Sequence, residues 1–409
     1  MKLNKWIFVN ILAIFFSTSV LAIEFEPPVL LARSNVKDSF NLPPMTYLNN
    51  IAPVINNQGD ISFKVVATGE KGVQGLWIKA SYDELGKVIF EAPEELVVTD
   101  PSLNDKGKIV FSLFDDVSTE GVYSLDIHDL KLNQVIENDQ KDLTYFTYPT
   151  VDNNNLIYFR GTNKTNDRAF YSFDKSLKNL LSEGSIIAGQ TASYLFKPSI
   201  NQSEQIAFKM RIGNKGEWDE NRPDAIVFYD SKNILDPKNN EHSKIIAVDR
   251  ELDSKSPFLS FLNTVSLSNL GHIAFCGVIE DHRIGVFVYS PNGELKRIAL
   301  ENEGDLLNVE TFSVKVNSLG HVLFRGKDKE LKRSLFFYDG EKLTKLYRES
   351  SEIESDKGLA KILDNQYYPG FSGEVTLNDN DQIVFGAVLV SAKENHEWGT
   401  GIYLLNPKK

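Results

Sequence analysis

Seven times along this chain a tight-turn signal runs straight into a short apolar stretch that ends in phenylalanine. No other feature restricts the fold as strongly. The phenylalanines are Phe63, Phe111, Phe159, Phe208, Phe275, Phe324 and Phe385, at separations of 48, 48, 49, 67, 49 and 61 residues. Two positions before each stands Ile or Val: Ile61, Ile109, Ile157, Ile206, Ile273, Val322 and Ile383. Such a pair lies on one face of a strand. The intervening residue is often apolar too, as at Val110, Ala207, Ala274 and Val384, so both faces read as covered. Seven before the phenylalanine come Asn56, Asn104, Asn201, Asn317 and Asn378, with Asp152 and Ser268 in the other two repeats. Four before it come Gly59, Gly107, Gly271 and Gly320, or else Asn155, Glu204 and Asp381. Glycine takes a positive φ without a Cβ penalty, and Asn or Asp side chains bond the nearby backbone. Hairpins need this chemistry, and Glu204 fits it least well.

After each phenylalanine follows a second apolar run that carries an aromatic ring in every repeat, from Leu76-Trp77-Ile78 to Ile402-Tyr403. A third run, such as Leu343-Thr344-Lys345-Leu346, follows most of these, and another precedes most Asn turns. Four short strands in roughly 40–50 residues make one blade of a propeller. The expected fold is therefore all-β, a seven-bladed β-propeller of four-stranded antiparallel blades. The seventh repeat has no fourth strand after Leu405. Residues 29–33 resemble the fourth-strand runs at 244–248 and 296–300, so an N-terminal strand is expected to complete the last blade and close the ring. Either Val88-Ile89-Phe90 or Leu96-Val97-Val98 supplies the fourth strand of the first blade. Residues 355–363 read as one or two helical turns.

Residues 1–22 read as a signal peptide. Lys2 and Lys5 are followed by a short apolar run and by the small-residue site Val20-Leu21-Ala22. The remainder, 23–409, is expected to be a single propeller domain, periplasmic or secreted, with no membrane span after cleavage, and a monomer. The balance of 44 basic to 56 acidic residues gives a net charge of −12, which argues against nucleic acid as a partner. Cys276 is the single cysteine, so no internal disulfide forms, and it reads as a structural thiol.

The pattern N-x-x-G-x-[IV]-x-F followed by G-[IV]-[FY] resembles the bacterial exported tandem-repeat proteins named for an NxxGxxxF repeat. It is also similar to the repeat of TolB-like propellers, with Pro53, Pro101, Pro149 and Pro198 standing where that repeat has its leading proline. The resemblance implies an exported interaction platform and carries no catalytic residue onto this chain.

His272 and His321, each three before its phenylalanine, read as polar turn edges. Asn378-Asp379-Asn380-Asp381 has the composition of a calcium loop but lacks its glycine and its distant Glu, so it reads as hairpin chemistry. No cofactor and no metal are expected. The longer intervals are insertions, at 210–224, 251–263, 349–373 and 388–400. Most of them belong to the disc face opposite the Asn turns. Two carry Glu-Trp pairs, Glu217-Trp218 and Glu397-Trp398, and Tyr367, Tyr368 and Phe371 lie just before the last repeat. Exposed aromatics beside carboxylates are characteristic of binding surfaces, so these seven residues are the candidate binding site. The expected function is non-catalytic binding of a protein or glycan ligand. The alternative is a hydrolase or lyase acting on a carbohydrate or lactone, which needs carboxylates, His or a metal converging at the central opening.

Overall fold

Each of the seven repeats forms its own antiparallel sheet, and the sheets stand as blades around an axis. The computed structural model describes residues 23–408 except 49, 69–71, 116–117, 138–142, 236–240, 313, 365–367 and 395. The signal-peptide reading of 1–22 thus lies outside the described residues. Blade three shows the plan, with Leu143–Val151 innermost, then Ile157–Asn163, Arg168–Phe173 and Leu177–Ser182 outermost.

The repeated phenylalanine sits on the second strand of its blade and pairs directly with a residue of the third. The partners are Trp77, Tyr123, Tyr171, Val227, Phe287, Phe336 and Tyr403. Six of these pairs are stacked rings, with centroids 4.4–5.9 Å apart. All seven phenylalanines are at most 1% exposed. Burying such a ring contributes about 1.5–3 kcal/mol, and an aromatic contact adds roughly 0.5–1.5 kcal/mol. Blade four, where Val227 replaces the ring, takes an edge contact from Phe170 of blade three instead, at 5.0 Å.

The turns before these strands share one conformation. The residue four before the phenylalanine has positive φ in every blade: 85° at Gly59, 81° at Gly107, 66° at Asn155, 65° at Glu204, 87° at Gly271, 79° at Gly320 and 58° at Asp381. Glu204 adopts the geometry in full despite its side chain. The turn asparagines do two jobs. Their Oδ1 atoms accept from the backbone N–H groups two and four residues on, as with Lys106 and Lys108 at Asn104. Their Nδ2 atoms donate to the backbone carbonyl of the turn in the next blade. Asn56 reaches Asn104, Asn104 reaches Asp152, Asn201 reaches Ser268, Asn317 reaches Asn378, and Asn378 returns to Asn56, at 2.8–3.1 Å.

The N-terminal strand completes blade seven, as the sequence leads one to expect. Val29–Ser34 pairs antiparallel with Glu397–Leu405, with Leu30 opposite Tyr403 and Ser34 opposite Thr400. Blade one takes Lys87–Glu91 as its outer strand, while Val97–Val98 opens blade two. The helical reading of 355–363 is wrong. Glu352–Ser355 and Gly358–Ile362 form a hairpin through Gly358 at φ 102°, joined to Ile383–Ser391. Its Ile353, Ala360 and Ile362 are buried in the blade-seven core, and this alternation is a strand period rather than a helical one. The insertion at 388–400 is absorbed by lengthening two strands to nine residues each. Among the described residues no helix is long and apolar enough to cross a membrane.

Candidate functional site

The inner strand is interrupted in every blade. In blades one, two, four and six it splits into two short strands, for instance Leu306–Val309 and Lys315–Val316, which pair with the same neighbour. In blades three, five and seven it stays continuous but slips register between Thr147 and Thr150, Phe261 and Val265, and Ser372 and Thr376. Pro53, Pro101, Pro149 and Pro198 stand at four of the interruptions. Proline has no N–H to offer a ladder, so pairing stops there.

The interruptions surround a cavity of about 640 Å³. Its lining includes these four prolines, Tyr145, Tyr148, Lys64, Asp100, Lys197, Lys315 and Glu374. Residues from blades one, two, three, four, six and seven take part, which places the cavity on the ring axis. Phe114 and Thr119, flanking the loop between the second and third strands of blade two, also line it. That puts its mouth on the face opposite the Asn turns. At the turn end, side chains meet across the axis. Asn57 of blade one and Asn269 of blade five both donate to Asp379 Oδ2 of blade seven at 3.1 Å, while Asn57 and Asn153 both donate to Asp105 Oδ2.

Charge inside the cavity is organised around lysines. Lys64 meets Asp100 at 3.2 Å. Glu374 is shared by Lys315 at 2.9 Å and Lys197 at 3.4 Å, the latter from blade four, which is not a neighbour of blade seven. Three ammonium groups therefore face two carboxylates. Tyr148 holds φ 57°, a conformation that costs a bulky residue energy and that concentrates at functional sites. Its ring is flanked by the Arg160 guanidinium at 5.0 Å and the Lys197 ammonium at 5.2 Å. Tyr148 is 39% exposed and Tyr145 43%.

In four blades the residue after the repeated phenylalanine holds the walls in place. Ser112 Oγ donates to the Phe146 carbonyl, Arg160 to Leu195, Lys209 to Phe261 and Arg325 to Phe371, always onto the inner strand of the following blade. Lys209 and Arg325 are nearly fully buried, and burial presses both below their usual basicity. Asp224 opposes that shift at Lys209 from 2.7 Å, and Glu310 opposes it at Arg325 from 3.0 Å. Cys276, like Gly386, is an apolar member of this column. Burial pushes its thiol up to about 12, which fits the structural reading.

The residues singled out from sequence lie elsewhere. Trp218 is 42% exposed, with the Arg168 guanidinium 5.2 Å over its ring, and its neighbour Glu217 pairs with Arg222 at 3.0 Å. Trp398 is half-buried against the blade-seven core, beside the exposed Glu397. Tyr368 is half-buried edge-on to Tyr47 at 5.4 Å. Tyr367 lies outside the described residues. Phe371 is a correction: at 1% exposure it packs in the core of blade seven, because it begins an inner strand rather than a surface loop. His321 is also less peripheral than a turn edge. Its Nδ1 lies 2.8 Å from Asp381 Oδ1 of the next blade.

Sequence reasoning missed the axial residues, although a signal for them exists. Asp100, Tyr148, Lys197 and Glu374 each stand eleven residues before their phenylalanine, and Lys315 stands nine before. These two columns flank the interruption of the inner strand and both line the cavity, and the residue at eleven changes chemistry from blade to blade while the repeat around it stays regular. A second depression, of about 830 Å³ on blade five, is lined by Arg250, Glu280, Asp281 and Arg297. Its charges are paired in exposed contacts, Arg250 with Glu280 at 3.0 Å, Asp281 with Arg283 and Arg297 with Glu303, and no aromatic ring is presented to solvent there.

Fold and site together define a seven-bladed propeller with an axial pocket. The chain belongs to the family described as a family of unknown function (DUF7453), whose model matches residues 45–312. No curated protein matches in sequence. Among solved structures, it is similar to an oligogalacturonate lyase in complex with manganese (TM-score 0.55, 10% identity, 95% of this chain and 98% of that one). It is also similar to an oligogalacturonate lyase from Vibrio parahaemolyticus (TM-score 0.53, 9% identity, 94% of this chain and 98% of that one). TolB from Acinetobacter baumannii superposes more loosely (TM-score 0.41, 14% identity, 73% of this chain and 62% of that one). At these identities the likeness shows the propeller fold alone.

Proposed function

We propose that this chain is an exported binding propeller whose axial pocket takes an anionic, carbohydrate-like ligand without turning it over. The observation that carries this is Tyr148, held at φ 57° on the pocket wall with cations from Arg160 and Lys197 on its ring. An exposed ring offers a sugar face a flat apolar platform, and the lysines supply an excess of positive charge inside a protein of net charge −12. The cavity volume lies within the roughly 300–1,000 Å³ of ordinary ligand sites. Asp100 and Glu374 are each engaged with lysine, so neither stands ready as half of a general acid–base pair. Export rests on residues 1–22, and the repeat supports placing the chain with exported NxxGxxxF-type proteins as an interaction platform. Trp218 and Trp398, with Glu217, Glu397 and Tyr368, would form an outer rim for a longer ligand. The test is calorimetric titration of the mature chain with acidic and neutral oligosaccharides. Acidic ones should bind, and Tyr148→Ala should weaken them at least about tenfold, a loss of roughly 1.4 kcal/mol. No binding of either kind, or equal affinity in the variant, counts against the reading.

A second reading is a lyase acting on the same ligands. A phenol beside two cations, Tyr148 with Arg160 and Lys197, contains the parts needed to remove a proton next to a carboxylate held by lysine. Appearance of unsaturated product on incubation with an acidic oligosaccharide would favour it over simple binding.

A further inference from the structure

One rung of the Asn ladder between blades is held by an aspartate. Asp152 Oδ1 accepts from the N–H groups of Asn154 and Leu156, both at 2.8 Å, two and four residues on. This is the pattern of Asn104 Oδ1 with Lys106 and Lys108 and of Asn201 Oδ1 with Ser203 and Gln205. The match fixes the side chain in the same orientation, so Asp152 Oδ2 stands where the other rungs carry Nδ2. In those rungs Nδ2 is surrounded by acceptors. Asn104 Nδ2 donates to the carbonyl of Asp152 and to Oδ1 of Asn155, and Asn317 Nδ2 to the carbonyl of Asn378 and to Oδ1 of Asp381. By the same register, Asp152 Oδ2 faces the carbonyl of Asn201 and the turn residue Glu204. Asp152 is 1% exposed, and its Oδ2 has no hydrogen-bond partner in the structure.

We propose that Asp152 is a built-in proton site, which completes the seam between blades three and four when protonated and loosens it when ionised. Protonated, Oδ2–H donates to the Asn201 carbonyl just as an asparagine would. Ionised, it sets an anionic oxygen without a hydrogen-bond partner against those acceptors, away from water, which is costly even with the Asn154 side chain and the Tyr158 hydroxyl close by to ease it. The groups facing it sharpen this. Burial first, and then the Glu204 charge, raise the Asp152 carboxyl above the ordinary carboxylate range. Tyr158, 1% exposed and also without a hydrogen-bond partner at its hydroxyl, lies alongside and is pushed upward by burial, by both carboxylates and by the approach of its hydroxyl to Asp152. Lys232 pairs with Glu204 at 2.8 Å and leaves the Asp152 oxygen unmet. From blade two Asn104 reaches Asp152, and it bonds the backbone carbonyl.

The sign of the effect follows from linkage. A carboxyl whose folded pKa is raised binds more protons in the native state than in the unfolded chain. Its contribution to stability is therefore full below the unfolded value, falls as pH climbs from there to the folded value, and is flat above. The experiment compares denaturant unfolding of the mature wild type and Asp152→Asn between pH 4 and pH 8. The two should be nearly equal at pH 4. By pH 8 the variant should be the more stable, with the folding equilibrium favoured roughly tenfold for each pH unit by which the fold raises the carboxyl. Equal stability at every pH, or a variant less stable at pH 8, overturns the proposal. If Asp152→Asn does not yield folded protein, infrared difference spectra of the wild type decide. A protonated carboxylic acid carbonyl band that outlasts the ordinary carboxylate range as pH rises supports the site, and loss of every such band within that range overturns it.

Discussion

Arg33 is the fastening of the ring, and removing it should cost more than any exposed charge on the molecule. Its side chain is 1% exposed and makes four bonds. Nε and Nη2 grip the two oxygens of Asp356 at 2.7 Å each, Nη1 donates to the Trp398 carbonyl, and Nη2 also donates to the Asp38 carbonyl. The N-terminal strand is thereby tied to the 352–362 hairpin and to the last strand at once. Breaking a buried ion pair by deleting one partner costs about 3–5 kcal/mol. Asp356 is 17% exposed and can be partly rehydrated, so Arg33→Ala should sit at the low end, about 3 kcal/mol or a factor of roughly 150 in the folding equilibrium. Arg33→Lys keeps the charge but not the two-pronged geometry, and should recover less than half of that loss. Urea unfolding gives the stabilities, and hydrogen exchange of the amides at 29–34 and 400–404 shows where protection is lost. An Arg33→Ala protein within about 1 kcal/mol of wild type, with those amides still protected, would refute the reasoning.

Three further outcomes follow from the packing. Phe324→Ala should lose about 3–5 kcal/mol in denaturant melts, since its ring is 1% exposed and stacked on Phe336 at 5.4 Å. His321→Ala should lose about 1 kcal/mol, more than a solvated turn residue, through its contact with Asp381 in the next blade. Cys276, buried and with its thiol pushed up to about 12, should react with a thiol reagent only at the rate at which the protein opens, and at the ordinary thiol rate in urea.

The parts of this fold that were legible in sequence are those where one backbone requirement recurs. A positive φ before a buried phenylalanine leaves the same trace seven times, and the missing fourth strand of blade seven shows as a gap that residues 29–33 can fill. The hairpin at 352–362 was not legible. A short run with apolar residues at Ile353, Leu359, Ala360 and Ile362 satisfies either period until its neighbours are known. The axial pocket was hidden for a different reason. Tyr148, Lys197 and Glu374 are far apart in the chain and share only their distance from an anchor, so nothing local marks them as one site. Ring closure alone brings Lys197 and Glu374 to 3.4 Å. The Glu-Trp loops are legible because tryptophan is conspicuous, whereas the axial column carries no such marker.

The two-ended blade also sets an order of events during folding. Blades one to six each draw their four positions from neighbouring stretches of chain, so each can pair as soon as its own segment is available. Blade seven must wait for both ends, because Leu30 meets Tyr403 across nearly the whole length of the polypeptide. The entropy of closing so long a loop grows only slowly with its length, but it is charged before any of the new contacts form. A chain emerging from one end to the other can thus assemble most of a disc while its axial pocket still has an open side. Lys197 and Lys315 receive Glu374 only when the last blade arrives, and the pocket is completed at the same moment as the fold.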